Sequence, residues 1–271
     1  NINEVSQSLV SWAWKAGGAP TGNGKRRTND SATETTLSAS GSPGTNSTLY
    51  TTGFQFVKQS VNSAGQFSIT QYQSQNPVSG NYLLPHGLTG TPDFIIIKSS
   101  SNGNSWHVWH DDVSTRATGY LTLDTDDAEA NSASPFGNTA PSPTHITLGP
   151  SGNVNYDNRT YIMYAWKAVA GVSAFGTYTG DGGSVRTITT GFQPRFLMIK
   201  GLASARRWIM LDNFRDTIPT YKMLFADLGN VEDANSSAIT TFNSTGFAFT
   251  SATTLTHVNY TNETYIYAAF A

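Results

Sequence analysis

A stretch in the middle of this chain comes back at its end. Residues Asn155-Tyr156-Asp157-Asn158-Arg159-Thr160-Tyr161-Ile162-Met163-Tyr164-Ala165-Trp166 recur as Asn259-Tyr260-Thr261-Asn262-Glu263-Thr264-Tyr265-Ile266-Tyr267-Ala268-Ala269-Phe270, 104 positions later. An internal repeat constrains a fold more than any local signal. It extends backwards with its order kept. Pro92-Asp93-Phe94-Ile95-Ile96-Ile97-Lys98 is answered by Pro194-Arg195-Phe196-Leu197-Met198-Ile199-Lys200, and Trp106 by Trp208, both 102 positions on. Gly119-Tyr120-Leu121-Thr122-Leu123-Asp124 parallels Tyr221-Lys222-Met223-Leu224-Phe225-Ala226, and Phe67-Ser68-Ile69-Thr70-Gln71-Tyr72 parallels Phe175-Gly176-Thr177-Tyr178. A unit of about a hundred residues is a domain, not a solenoid repeat of about 20–50.

The repeat sets the expected boundaries: one module over residues 65–171 and a second over 172–271. Before them, residues 19–64 are dominated by Gly, Ser, Thr, Asn and Pro and read as a linker or irregular segment. Within it, Phe54, Phe56 and Lys58 alternate as an extra strand would. Residues 1–18 hold a third echo, Val10-Ser11-Trp12-Ala13-Trp14-Lys15-Ala16, of Ile162 to Ala168. It reads as the terminal strand of a preceding or shared module, with Trp12 and Trp14 on one face in need of a partner sheet. That echo, with a chain opening on Asn1, gives the expectation that this is the C-terminal part of a longer polypeptide.

Nowhere does a period of 3.6 persist over ten positions, whereas period-two alternation is frequent. Phe67, Ile69 and Tyr72 alternate, as do Trp106, Val108 and His110 against His107, Trp109 and Asp111. Phe94-Ile95-Ile96-Ile97 is a continuous apolar run, suited to a strand buried on both faces. The predicted class is all-β: two tandem antiparallel β-sandwich, jelly-roll-like domains behind an N-terminal strand and a linker.

Composition closes off several functions. Charged residues are 13%, the net charge is −2, and the one dense basic spot is Lys25-Arg26-Arg27, so the footprint of a nucleic-acid binder is missing. Without cysteine there are no disulfides, cysteine metal sites or thiol nucleophiles. No apolar run approaches the roughly 20 residues of a membrane span, so no membrane insertion is expected. Aromatic residues, at 12%, supply the core material.

Pro85-His86-Gly87-Leu88, Pro92 to Lys98, Trp106-His107-Val108-Trp109-His110 and Tyr161-Ile162-Met163-Tyr164-Ala165-Trp166 together resemble a module of tailed-phage virion proteins, found in tail fibres of marine and cyanobacterial phages. The closing Tyr265-Ile266-Tyr267-Ala268 belongs to the same pattern, and Trp12-Ala13-Trp14-Lys15-Ala16-Gly17-Gly18 matches a run that precedes such modules. The second copy departs from it: Trp208-Ile209-Met210-Leu211-Asp212 lacks both histidines, and Thr190-Gly191-Phe192 replaces His86-Gly87-Leu88. The resemblance implies a role on the surface of a virion, without a known catalytic site.

Candidate chemistry is sparse. Asp111-Asp112 has no matching carboxylate placed across a cleft for glycan cleavage. Asp124, Asp126, Asp127 and Glu129 have the oxygen density of a Ca²⁺ site but lack EF-hand spacing. His107 and His110 fall on opposite faces of a strand and cannot share a metal. Trp109, Tyr82, Tyr120 and Trp166 are the candidates for stacking on sugar rings, against the alternative that they fill the cores. No catalytic residue, metal or cofactor is expected. The reading is a non-enzymatic phage structural protein, a tail fibre or similar surface appendage contributing to host attachment. Its expected partners are other virion subunits, further copies of itself as a trimer, and a host surface glycan. A capsid decoration or cement protein and a glycan depolymerase are the alternatives.

Overall fold

The computed structural model describes residues 10–19, 54–74, 81–183, 186–203, 205–215, 222–232, 241–249 and 257–271. In the first half the chain forms β1 (Phe54–Asn62), β2 (Phe67–Ser74), β3 (Tyr82–Pro85), β4 (Phe94–Ser99), β5 (His107–His110), β6 (Gly119–Thr122) and β7 (Ala130–Asn131). The short helix α1 (Ala133–Phe136) follows, then β8 (His145–Leu148) and β9 (Thr160–Trp166). The second half forms β10 (Ser173–Thr179), β11 (Arg186–Thr189), β12 (Phe196–Gly201), β13 (Ile209–Asp212), β14 (Leu224–Phe225), β15 (Thr241–Asn243), β16 (Gly246–Phe249) and β17 (Thr264–Phe270). Among the described residues every strand pairing is antiparallel, and the protein is an all-β, sandwich-type fold.

The two halves are built to one plan. A large sheet in the order β1-β2-β9-β4-β5-β6-β7 faces the two-stranded sheet β3-β8, and a sheet in the order β10-β17-β12-β13-β14 faces β11-β16-β15. Strand β1 falls inside the span read as linker. It pairs with β2 over the register Asn62↔Phe67 to Phe54↔Ser74, so the linker reading is corrected there: the alternating Phe54, Phe56, Lys58 stretch is an edge strand.

Register also corrects one part of the sequence alignment. Ile69 faces Tyr164 and Phe175 faces Ala268, the position 104 residues beyond Tyr164, so Phe175 is the counterpart of Ile69, whereas Phe67 corresponds to Ser173. The tyrosines align as expected. Tyr72 stacks on Tyr161 at 5.2 Å between centroids, and Tyr178 on Tyr265 at 5.2 Å. Each inner tyrosine donates its hydroxyl to a valine carbonyl, Tyr72 to Val154 at 2.6 Å and Tyr178 to Val258 at 2.7 Å. Burial pushes the Tyr72 and Tyr178 hydroxyls well above the ordinary tyrosine pKa, so they remain donors.

Each apolar strand has two faces to bury. Ile95 and Ile97 enter the core of the first sandwich with Tyr72, Trp109 and Leu148, and Leu197 and Ile199 enter that of the second with Tyr178, Phe247 and Tyr265. Phe94, Ile96, Phe196 and Met198 point the other way, into a third cluster with Val108, Trp166, Trp208, Ile266 and Phe270. This third core is shared by the two halves. Along β17, Phe270 meets Trp166 of β9 at 6.1 Å between centroids, and the Tyr267 carbonyl accepts from His110 Nε2 on β5 at 3.1 Å. Further along, the Leu202 carbonyl beside Thr264 accepts from Glu129 N at 2.8 Å. One strand of the second sheet thus traverses several strands of the first, which is orthogonal sheet packing. The indole of Trp208 donates to Thr122 O at 2.8 Å, and buried Lys200 donates to Asp126 O at 3.0 Å across the same junction.

Because the third core is shared, its loss reaches both halves. Phe94→Ala is expected to lower stability by about 3–5 kcal/mol, with the two halves still unfolding in one transition. Urea titration read by both tryptophan fluorescence and far-UV circular dichroism checks this, and separate transitions in the unsubstituted protein would contradict it.

Candidate functional site

Of the residues singled out from sequence as sugar-stacking candidates, Trp109 and Trp166 are absorbed by the fold. Trp109 is fully buried in the first sandwich, its Nε1 donating to Arg116 O at 2.9 Å. Trp166 is 5% exposed and is enclosed by Phe67, Phe94 and Phe270. Tyr82 and Tyr120 are half-buried against the first core, and Tyr120 stacks on His107 at 4.9 Å. For Trp109 and Trp166 the correction has a simple cause: on a strand flanked by two cores an aromatic of either parity points inward, so alternation marks no exposed face.

The acidic cluster is likewise dispersed. Asp124 accepts from Trp106 N at 2.9 Å, Asp126 lies 3.6 Å from Arg207, and Glu129 accepts from Ser114 N and Oγ. The Trp106 contact is a duplicated turn device, since Asp227 accepts from Trp208 N at 3.1 Å. Among the described residues no group of three or more His, Cys, Asp or Glu could hold a metal, so Asp124, Asp126, Asp127 and Glu129 are not brought together as calcium ligands.

His107 and His110 do face opposite cores, as their spacing predicts. His110 is completely buried. A carbonyl can only accept, so Nε2 carries the proton toward Tyr267 O, while Nδ1 accepts from Asp112 N at 3.1 Å. His86 is held alike, between Ser142 O and Leu88 N, both at 3.1 Å. Both are thereby fixed as neutral tautomers. Desolvation above all lowers His86, His107 and His110 to about 4. For His110, the Tyr267 carbonyl, Asp111 and Asp93 oppose the shift without cancelling it.

The N-terminal arm, residues 10–19, carries the alternation of a strand. Trp12 and Trp14 are half-buried between exposed neighbours, but among the described residues the arm pairs with no strand, unlike the expected terminal strand. Side chains tether it instead: Gly17 N to Ser60 Oγ at 3.1 Å, Ser60 Oγ to Gly18 O at 2.8 Å, and Asn62 Nδ2 to Lys15 O at 3.0 Å. A Cβ at Gly17 would stand 1.8 Å from Val61 O, so only glycine permits this approach. Trp12 packs on Phe196 at 4.9 Å and donates to Asp212 at 3.3 Å. Trp14 meets Trp166 at 6.1 Å and Phe270 at 5.3 Å, so the corresponding aromatics of all three motif copies form a triangle.

Beside the arm lies a cleft of about 380 Å³, lined by Trp12, Trp14, Arg195, Asp212, Phe214 and Arg215 among others. Asp212, the positional counterpart of His110, accepts from Phe214 N and Arg215 N and pairs with Arg215 Nε at 2.5 Å. Burial alone would raise its carboxyl, but Arg215 and the turn N–H groups hold it below the usual range. Phe214, at 86% exposure, stands at this cleft.

A second exposed feature is duplicated. Tyr156 is 44% exposed with the Arg159 guanidinium 4.1 Å from its ring centroid, and Tyr260 is 51% exposed with Arg206 at 4.6 Å. Both sit in turns whose Asn158 and Asn262 adopt φ of 59° and 60°, and both turns close by a bond to the tyrosine carbonyl, from Arg159 N and Glu263 N at 3.1 Å. The sequence places both tyrosines in a polar turn and assigns them no role. Retention of a large aromatic among turn residues is the signal that marks them. Arg206 carries none, since it is brought to Tyr260 only by the fold.

Two outcomes follow from this geometry. Above pH 6.5 the three buried histidines are neutral folded or unfolded; between 6.5 and about 4 only the unfolded chain takes up their protons, so stability falls with pH, by up to about 1.4 kcal/mol per pH unit for each. His110→Gln is expected to reduce that slope by one proton, measured by urea titrations across the window. For the arm, Trp14→Ala removes the ring that anchors it to Trp166 and Phe270, and is expected to speed tryptic cleavage after Lys15 by at least about tenfold. An unchanged cleavage rate would mean the triangle does not hold the arm.

No curated protein and no solved structure matches this chain. The family described as a domain of unknown function, DUF7483, matches residues 34–271, and so takes in both sandwiches while leaving out the arm. With that match over most of its length, the chain belongs to the DUF7483 family.

Proposed function

We propose that this protein is a non-enzymatic structural component of a phage particle, part of a tail fibre or similar surface appendage that contributes to host attachment. The observation that carries the reading is the shared aromatic core. Two sandwiches crossed at a steep angle and joined through Phe94, Trp166, Trp208 and Phe270 make a stiff double unit, as a spacer in an appendage requires. The motif resemblance to virion proteins supports the setting. Solubility with few charges, through hydroxyl and amide side chains, suits a surface exposed outside a cell. The assembly proposed is a homotrimer with other virion subunits as neighbours.

Gold-labelled antibody against the purified chain is expected to decorate the tails of intact particles in electron micrographs. Labelling spread over the capsid would favour a decoration protein, and no labelling would refute the reading. Light scattering on the purified protein is expected to give three times the chain mass of 29.1 kDa. Incubation with host polysaccharide is expected to release no reducing ends. Release abolished by Asp111→Ala would replace the structural reading with a depolymerase.

A further inference from the structure

The duplication supplies an alignment within one chain, and it shows which surface features survived divergence. Asn104 and Arg206 are counterparts, since Lys98 Nζ donates to the carbonyl of the first and Lys200 Nζ to that of the second. Arg159 and Glu263 are counterparts in the repeated turn. In the first sandwich the cation over the exposed tyrosine comes from the turn itself, Arg159. In the second that position has become Glu263, buried and accepting from Ala203 N at 2.9 Å, and the cation comes instead from Arg206 in the loop after β12.

Thus the residue pair changed from Asn104 and Arg159 to Arg206 and Glu263, and a guanidinium still lies over a half-exposed tyrosine. Folding accounts for the guanidinium in part, since Arg159 also reaches Gly152 O and Arg206 pairs with buried Glu263, but not for the exposed ring beneath it. The turn is closed by its own main-chain bonds and its asparagine in the left-handed region, and the core beneath is sealed by Val154 and Val258, each no more than 1% exposed. An exposed aromatic contributes little to stability, whereas an aromatic ring backed on one face by a cation and rimmed by polar side chains offers its other face to a ligand with one apolar face and a hydroxylated rim. Around the rings lie exposed Asn158 in the first turn and Thr261 and Asn262 in the second, further hydrogen-bonding groups without net charge of one sign.

We propose that Tyr156 with Arg159, and Tyr260 with Arg206, are two equivalent saccharide-binding subsites. In each the guanidinium backs one face of the tyrosine ring, and the other face takes the C–H face of a pyranose whose hydroxyls meet the polar turn residues around it. Two weak sites on one rigid body, multiplied by oligomerisation, bind a repetitive surface polysaccharide through avidity. The inference rests on the host-attachment part of the proposed function, and antibody labelling of particles tests location separately from binding.

The test is retention on a printed array of bacterial O-antigen and capsular oligosaccharides, using the full chain. Unsubstituted protein is expected to be retained. Tyr156→Ala or Tyr260→Ala is each expected to weaken retention about 10²-fold through loss of bivalency, and the double variant to abolish it. Tyr156→Phe and Tyr260→Phe, which keep the stacking face, are expected to restore most of it, and circular dichroism to be unchanged throughout. A blank array, or retention unaffected by the double alanine variant, overturns the proposal, as does loss of retention only where the variant has also lost its folded spectrum.

Discussion

Each large sheet has two apolar faces, and everything else in the molecule answers to that. Phe94-Ile95-Ile96-Ile97 and Phe196-Leu197-Met198-Ile199 send alternate side chains to opposite sides. A small sheet covers one side of each. The uncovered sides would leave Phe94, Trp166, Phe196 and Phe270 in water, and burying large aromatics is worth roughly 1.5–3 kcal/mol each. The two sheets therefore cover one another, and the arm fills the corner their crossing leaves open.

This arrangement explains which duplicated residues diverged. Tyrosine stacks, the left-handed asparagine turn and the aspartate that caps the Trp106 or Trp208 amide serve each sandwich alone and persist in both. Positions on the shared face are mixed: Phe94 and Phe196 persist, but others diverge because crossed sheets present different surroundings to the two copies. His110 reaches a carbonyl of the other half, whereas its counterpart Asp212 meets the arm through Trp12 and its own loop through Arg215. On opposite faces of one strand, His107 and His110 are held by different neighbours, which is why no joint histidine site exists.

Tandem domains drawn as beads would have two cores and a hinge. Here the junction is a core in its own right, crossed by hydrogen bonds from Trp208, Lys200 and His110. Among the described residues, the surface features that stand apart from the cores include the cleft beside the arm and the two turns bearing exposed tyrosines.

The sequence by itself determined the all-β class, the duplication, the strands buried on both faces and the opposed faces of His107 and His110, because these follow from local periodicity and from comparing the chain with itself. It also marked β1 through the alternation of Phe54, Phe56 and Lys58, though composition argued for a linker. What only the tertiary structure decided is what covers each face. Trp109 and Trp166 are core because a second sheet lies over each side, Arg206 reaches Tyr260 across a loop, and Trp14 joins Trp166 and Phe270 in one cluster. Such contacts link residues separated by tens to hundreds of positions, and periodicity records which way a side chain points but not what stands opposite it.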